Sequence, residues 1–327
     1  MMKQIKATAM NKTLSLSLLA LLPPLLFNPA LAGERVDRTL SADNVSRLNI
    51  DNRRGEVKIV AWDKDEIKVT GELDDKVKKL IFEQSGSVVN LKVKVPNQGN
   101  WYGNKNTGSD LTVYAPASVR IDANGVSSDF EVEGFTEAVE IRSVSGTITA
   151  ENLASDVELN TVSGDVRSTN LTGKIDLNTV SGVIRDSGSN GRLRVKAVSG
   201  DIDIESQATE VSAEAVSGDI ELRLSQVEDL SITTVSGDID SQLALLDNGQ
   251  IRYSSVSGDF DLVFTDKVSA SFSFHASAGG DLVNKLTSDK AEKAKYGPQS
   301  KLRFTTGNGS ASVKGNTVSG RIRVSEQ

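Results

Sequence analysis

The sequence predicts an all-β fold, a single-stranded parallel β-helix (β-solenoid) with right-handed winding as the expected sense. Three observations carry this: a repeat of fixed length, an apolar alternation of period two on either side of it, and a glycine at its corner. Val-Ser-Gly begins at Val144, Val162, Val180, Val198, Val216, Val235, Val256 and Val318, and Val-Ser-Ser begins at Val126. The step is 18 residues from Val126 to Val216, then 19 and 21. A period of this size marks a repeat protein whose units bury their apolar faces only against their neighbours. Eighteen residues are too few for two helices and a turn. They fit one coil of two or three short strands.

Counting from the repeat valine as zero, apolar residues fall at minus five and minus three (Val157, Leu159; Ile175, Leu177; Leu193, Val195) and at plus four and often plus six (Ile202, Ile204; Ile220, Leu222; Phe260, Leu262). Each set has the alternation of a strand with one buried face. The two sets differ in parity, so one straight strand cannot bury both. The chain therefore bends at Val-Ser-Gly-Asp, where glycine is expected to supply a positive φ and Ser and Asp to bond a turning backbone. Small residues just before the valine (Thr161, Thr179, Ala197, Ala215, Thr234, Ser255) mark a tight corner.

The N-terminus precedes this pattern. Residues 1–32 read as a secretory signal peptide, with Lys3, Lys6 and Lys12, an apolar run from Leu14 to Phe27, and Ala30-Leu31-Ala32 before Gly33. The run is roughly 13 residues and is broken by Pro23 and Pro24, whereas a membrane span needs about 20. No transmembrane segment is expected once the signal is removed. Without these residues 34 basic side chains stand against 44 acidic ones, which argues against nucleic acid as the partner. The absence of cysteine excludes disulfides and thiol metal sites. Export without disulfides suits the periplasm or cell surface of a bacterium.

Residues 33–118 are expected to form N-terminal capping strands and the first coils. Leu48-Asn-Ile50 and Val57-Lys-Ile59 fit the coil template with Arg53 in the valine slot. Ile67 to Leu73 and Leu80 to Val95 alternate as strands, the latter folding back through Gln84-Ser-Gly-Ser87. The stretch from Pro96 to Asp110 is a loop by composition. Its adjacent Trp101 and Tyr102 either stack on a sugar ring or cover the open end of the stack. Regular coils of 18 to 21 residues fill 119–265. Residues 266–327 then hold degenerate coils, a polar excursion over 284–300, and strands that close the C-terminal end.

Enzymatic constellations are scarce. His275 is the only histidine, and nothing in its spacing builds a catalytic triad around it. No glycine cluster forms a phosphate loop. One acidic pattern stands out. Positions plus three and plus five share parity and face solvent, and four successive coils are acidic at both: Asp201 and Asp203, Asp219 and Glu221, Asp238 and Asp240, Asp259 and Asp261. Stacked about 4.8 Å apart, such carboxylates repel by roughly 1 kcal/mol per neighbour in water and more near protein. Two readings follow: a solvated turn whose side chains splay apart, or a face that takes calcium or a cationic partner. On the second reading calcium raises the melting temperature.

The recurrent Thr-Val-Ser-Gly-Asp-Ile coils, the opening Asn-Arg-Arg-Gly-Glu-Val-Lys-Ile and Leu111-Thr-Val-Tyr-Ala-Pro116 resemble a bacterial putative-adhesin family of β-strand-repeat proteins labelled as a domain of unknown function. The resemblance spans roughly residues 40–325. It implies an exported, non-catalytic, single-stranded parallel β-helix and carries over no catalytic residue. The functional expectation is a non-enzymatic adhesin or envelope scaffold with an unidentified protein or glycan partner at the cell surface. Alternatives are an envelope-stress or signalling accessory that binds a protein through the 284–300 excursion, and a carbohydrate-active β-helix enzyme similar to pectate lyases. Short turns over the best repeats speak against the cleft that such an enzyme needs.

Overall fold

A computed structural model of the chain describes residues 33–96 and 108–327. The expected signal peptide, residues 1–32, and the aromatic pair Trp101 and Tyr102 lie outside the described residues. Among the described residues strands form all the regular structure, and no helix is long and apolar enough to cross a membrane. The 18-residue coils pair a long strand with a short one, as in Ala154–Ser163 with Val166–Thr169 and Thr172–Ser181 with Ile184–Ser187, and in the later coils the two run together as Ile220–Ser236 and Ile239–Ser257. Neighbouring coils pair parallel and in register: Val157 faces Ile175, which faces Leu193, and Val166 faces Ile184, which faces Ile202.

The template positions explain the core. Residues at minus five, minus three, plus four and plus six are buried along the stack, as with Ile175, Leu177, Ile220 and Leu222. A further buried residue at plus nine (Phe135, Leu153, Leu171) fills a third side of the coil. The chain turns into that side at Asn152 and Asn170, both at φ 54°, and leaves it at Gly173 and Gly191. Asparagine and glycine suit these points because they tolerate left-handed backbone at low cost.

The glycine at the Val-Ser-Gly corner has a second reason to be glycine. Only some corners carry positive φ, including Gly218 at 130°, Gly237 at 129° and Gly258 at 111°. At Gly164, Gly182 and Gly200, which carry no positive φ, a Cβ would still lie 2.0, 2.0 and 1.8 Å from the carbonyl oxygen of the glycine one coil earlier. The corners stack backbone against backbone, and any side chain there would wedge the coils apart.

Stack order departs from sequence order at both ends. Arg47–Trp62 is the first coil in the chain, with Leu48, Ile50, Val57 and Ile59 buried as its template requires. It lies between Arg120–Glu133 on one side and Val88–Lys94 plus Ser109–Pro116 on the other. The later segment thus sits outside the earlier one. Antiparallel strands Lys79–Ser85 and Glu66–Glu72, the latter paired with Arg35–Ser41, cover that end.

At the other end, Ala311–Ser319 and Arg321–Glu326 form a coil inserted between the Val256 coil and the degenerate coil Ala270–Ala276 with Asp281–Asn284. The C-terminal strands therefore lie one step inside the end they were expected to close. Ser300–Thr305 closes it, pairing antiparallel with Ala270–Ala276 and stacking Phe304 on Phe272 at 4.4 Å. The excursion over 284–300 contains no helix, only bends and a two-residue bridge, Glu292–Lys293, to Ser300 and Lys301.

Candidate functional site

The Val-Ser-Gly-Asp corner is the part of each coil that points both a buried polar group and an exposed ladder at its neighbours. In the early coils the buried residue at minus one bonds across the corner of the preceding coil, whereas Ala197 and Ala215 carry no hydroxyl and Thr234 Oγ1 donates to Ser236 O of its own coil. Thr161 Oγ1 donates to Gly146 O at 3.3 Å, Thr179 Oγ1 to Gly164 O at 3.1 Å, and Ser143 Oγ to Ser128 O at 3.0 Å. This satisfies a carbonyl that the close glycine packing would otherwise strand. The hydroxyl, as well as the small size, explains Ser143, Thr161 and Thr179.

One residue on, the repeat valine turns outward. Val126, Val144, Val162, Val180, Val198, Val216, Val235, Val256 and Val318 are each 41–50% exposed, and with Tyr296 they are the large exposed hydrophobics of the described residues. Parity with the buried minus-one, minus-three and minus-five positions already dictates this orientation.

The acidic columns divide by partner. At plus three, each carboxylate accepts the backbone N–H of the next coil. Asp201 Oδ1 takes it from Asp219 at 3.0 Å, Asp219 from Asp238 at 2.9 Å, Asp238 from Asp259 at 2.9 Å, and Asp259 from Arg321 at 3.0 Å. Asp129 and Asp165 do the same for Thr147 and Val183. These aspartates cap the corner of their neighbour, so a hydrogen-bonded donor offsets the like-charge repulsion.

At plus five, Asp203, Glu221, Asp240 and Asp261 stand in register in one column. Arg223 reaches both Asp203, at 3.3 Å, and Glu221. Arg321 pairs with Asp259 at 2.8 Å, and Arg323 pairs with Asp261. Asp240 lies between Glu221 and Asp261, and burial together with those neighbours and Asp238 raises its pKa. The structure thus assembles all eight predicted acids into two adjoining columns. Among the described residues, however, no group of three or more His, Cys, Asp or Glu side chains is placed to hold a metal ion.

One carboxylate escaped the sequence reading. Asp186 occupies an inward plus-six slot and is 3% exposed. Ser168 and Ser189 each donate to its Oδ1 at 2.5 Å, Oδ2 has no partner, and burial raises its pKa. An acid in a slot filled by Ile204 and Leu222 in later coils was the signal that could have revealed it. His275 is half-buried in Ala270–Ala276, beside Lys301 and Asn316 in the ladder. Near the N-terminal end an open groove runs over Asn49, Asp51, Asn90, Lys92, Asp122 and Asn124. Asn49 donates to Asn90 there at 3.2 Å, and Lys92 pairs with Asp51 at 3.0 Å.

A family model described as Toastrack DUF4097 matches residues 45–325, which includes the corners, both acidic columns and the stacked core. The chain belongs to the Toastrack family. The match begins just before the first coil of this Toastrack chain and ends within its last one. Among solved structures, a putative adhesin from Parabacteroides distasonis is 12% identical, covering 90% of this chain and 98% of its own, with a TM-score of 0.47. A putative lipid binding protein from the same organism is 15% identical over 89% and 97%, with a TM-score of 0.43. A putative adhesin from Parabacteroides merdae is 12% identical over 71% and 93%, also at 0.43. No curated protein matches the chain. Likeness this distant assigns no ligand to the Toastrack chain.

Proposed function

We infer that this Toastrack chain is an exported, non-enzymatic scaffold of the bacterial cell envelope, presenting its coils as an adhesin-like binding surface to a protein or glycan. The observation that carries this is the surface itself. Its outward residues stand in in-register columns spanning many coils, with apolar, hydroxyl and acidic columns side by side around one corner. Such a surface recognises extended partners by many repeated weak contacts, as solenoids characteristically do. The same arrangement supports a scaffold role, because each column is also held by the ladder bonds that stack the coils.

Cell fractionation followed by external protease tests the reading. The expected result is a protein in the envelope fraction that is cleaved on intact cells. Retention in the cytosol, or protection from external protease with no envelope association, would overturn it. Incubation with a polysaccharide panel addresses the catalytic alternative, since a lyase would release new unsaturated ends and a binder would not.

A further inference from the structure

The nine exposed valines form one continuous strip. The coils that carry them stack directly on one another, including Val318 next to Val256, so the strip runs about 38 Å at about 4.8 Å per coil. It is bounded by polar residues in the same slot, Arg53 at one end and Ser277 at the other. Monomeric proteins seldom leave a contiguous apolar patch beyond a few hundred Å² uncovered. The strip is also invariant within the chain. Across the same nine coils, the outward position two residues earlier holds Asn124, Arg142, Lys196, Glu214, Thr233 and Ser254, among others, whereas the valine slot holds only valine. A purely solvated corner would accept Thr or Lys as readily as the neighbouring column does.

We propose that this strip is the contact face of a homodimer in which two copies of the chain pack antiparallel, corner to corner, about a two-fold axis between the Val198 and Val216 coils. Two features select a second copy. A partner that covers the strip must repeat its own contacts every coil, and another copy of this solenoid does so by construction. On the minus-two side the flanking charges then match. A two-fold axis at this place sets the outward minus-two column of one copy against the same column of the other. Lys196 meets the partner's Glu214 and Glu214 meets the partner's Lys196. These two side chains already pair at 2.8 Å within one chain, so the dimer closes a ring of alternating charges.

Elsewhere in that register neutral groups face one another or a single charge: Asn178 meets Thr233, Asn160 meets Ser254, and Arg142 meets Asn316. Moving the partner by one coil in either direction sets Lys196 against Lys196 or Glu214 against Glu214, which is unfavourable. On the other side of the valines every coil carries serine, from Ser127 to Ser319, small enough to admit close approach.

Sedimentation equilibrium of the full chain tests the proposal. The wild type is expected to dimerise reversibly. The triple variant Val180→Thr/Val198→Thr/Val216→Thr keeps branched side chains of the same shape, and is expected to raise the dimer Kd at least tenfold while the monomer's circular dichroism stays unchanged. Lys196→Glu should weaken the dimer as well, and Lys196→Glu with Glu214→Lys should restore it. Because the chain has no cysteine, orientation is read from single-cysteine variants. Ser145→Cys mixed with Ser319→Cys should give a mixed disulfide dimer, and neither should cross-link alone. A wild type that stays monomeric, a dimer untouched by the triple variant, or a Ser145→Cys protein that cross-links to itself would overturn the proposal.

Discussion

Replacing Gly200 with alanine probes the stacked corners at their tightest point. The new Cβ would sit 1.8 Å from Gly182 O and 2.8 Å from Gly182 C, both backbone atoms of the neighbouring coil. Relief requires the two coils to separate by well over an ångström. That would also stretch the bond from Ile184 N to Asp201 O, 3.0 Å long, which joins the same two coils beside the corner. Overpacking of a rigid site costs about 1–3 kcal/mol, and a weakened backbone hydrogen bond about 1 kcal/mol more. Alanine restricts the unfolded chain and returns about 0.4–1 kcal/mol. The net expectation is a loss of about 1–4 kcal/mol, read as a fall in the urea midpoint followed by circular dichroism. Gly200 has no positive φ, so backbone conformation contributes nothing to that loss. Gly86→Ala is the control. Its φ is 62°, but no atom lies within 4 Å of the new Cβ, so it carries the left-handed penalty of about 1–2 kcal/mol without the clash. A Gly200→Ala protein with the wild-type midpoint would refute stacking of the glycines.

Further outcomes follow from the carboxylates. Burial raises the pKa of Asp186 above its unfolded value, so the stability tied to its protonated form is complete below the unfolded carboxylate range. That stability is lost as pH rises through the folded pKa. Asp186→Asn should therefore raise stability near neutral pH by about 1–3 kcal/mol, and the gain should vanish in acid. A constant difference across a pH series of melts would contradict the buried charge. Asp219→Ala removes the acceptor for Asp238 N and should cost about 0.5–1.5 kcal/mol, while Asp219→Asn, which keeps an acceptor oxygen, should cost less. With backbone amides and arginines already serving the acidic columns, melts in calcium and in chelator should coincide. A rise of several degrees in calcium would instead establish the cation-binding face.

Much of the fold was legible because the repeat carries its own geometry. Opposite parity at Leu177 and Ile184 located the bend, and the match of Leu48, Ile50, Val57 and Ile59 to the template placed a coil around Arg53. The order of stacking was not legible, since near-identical coils fit next to any neighbour. The 62-residue gap from Val256 to Val318 does not say that these two coils touch. For the same reason the aspartates at plus three read as repelling acids, because their amide partners belong to the next coil and become visible only once register is known. The glycines misled in another way: a turn explains Gly218, whereas Gly200 answers to a carbonyl one coil away.

Spin-label distances along the valine strip test the central claim, the in-register stack, most directly. With no native cysteine, pairs of cysteines can be placed in the dimer-weakening Lys196→Glu background at Val144 together with Val216, Val235, Val256 or Val318, all exposed in the single chain. At about 4.8 Å per coil the separations should rise in equal steps of roughly 19, 24, 29 and 34 Å. The last step should be no larger than the others, although it crosses 62 residues of chain. Separations that scatter, or a jump of two or more coil spacings between Val256 and Val318, would contradict it.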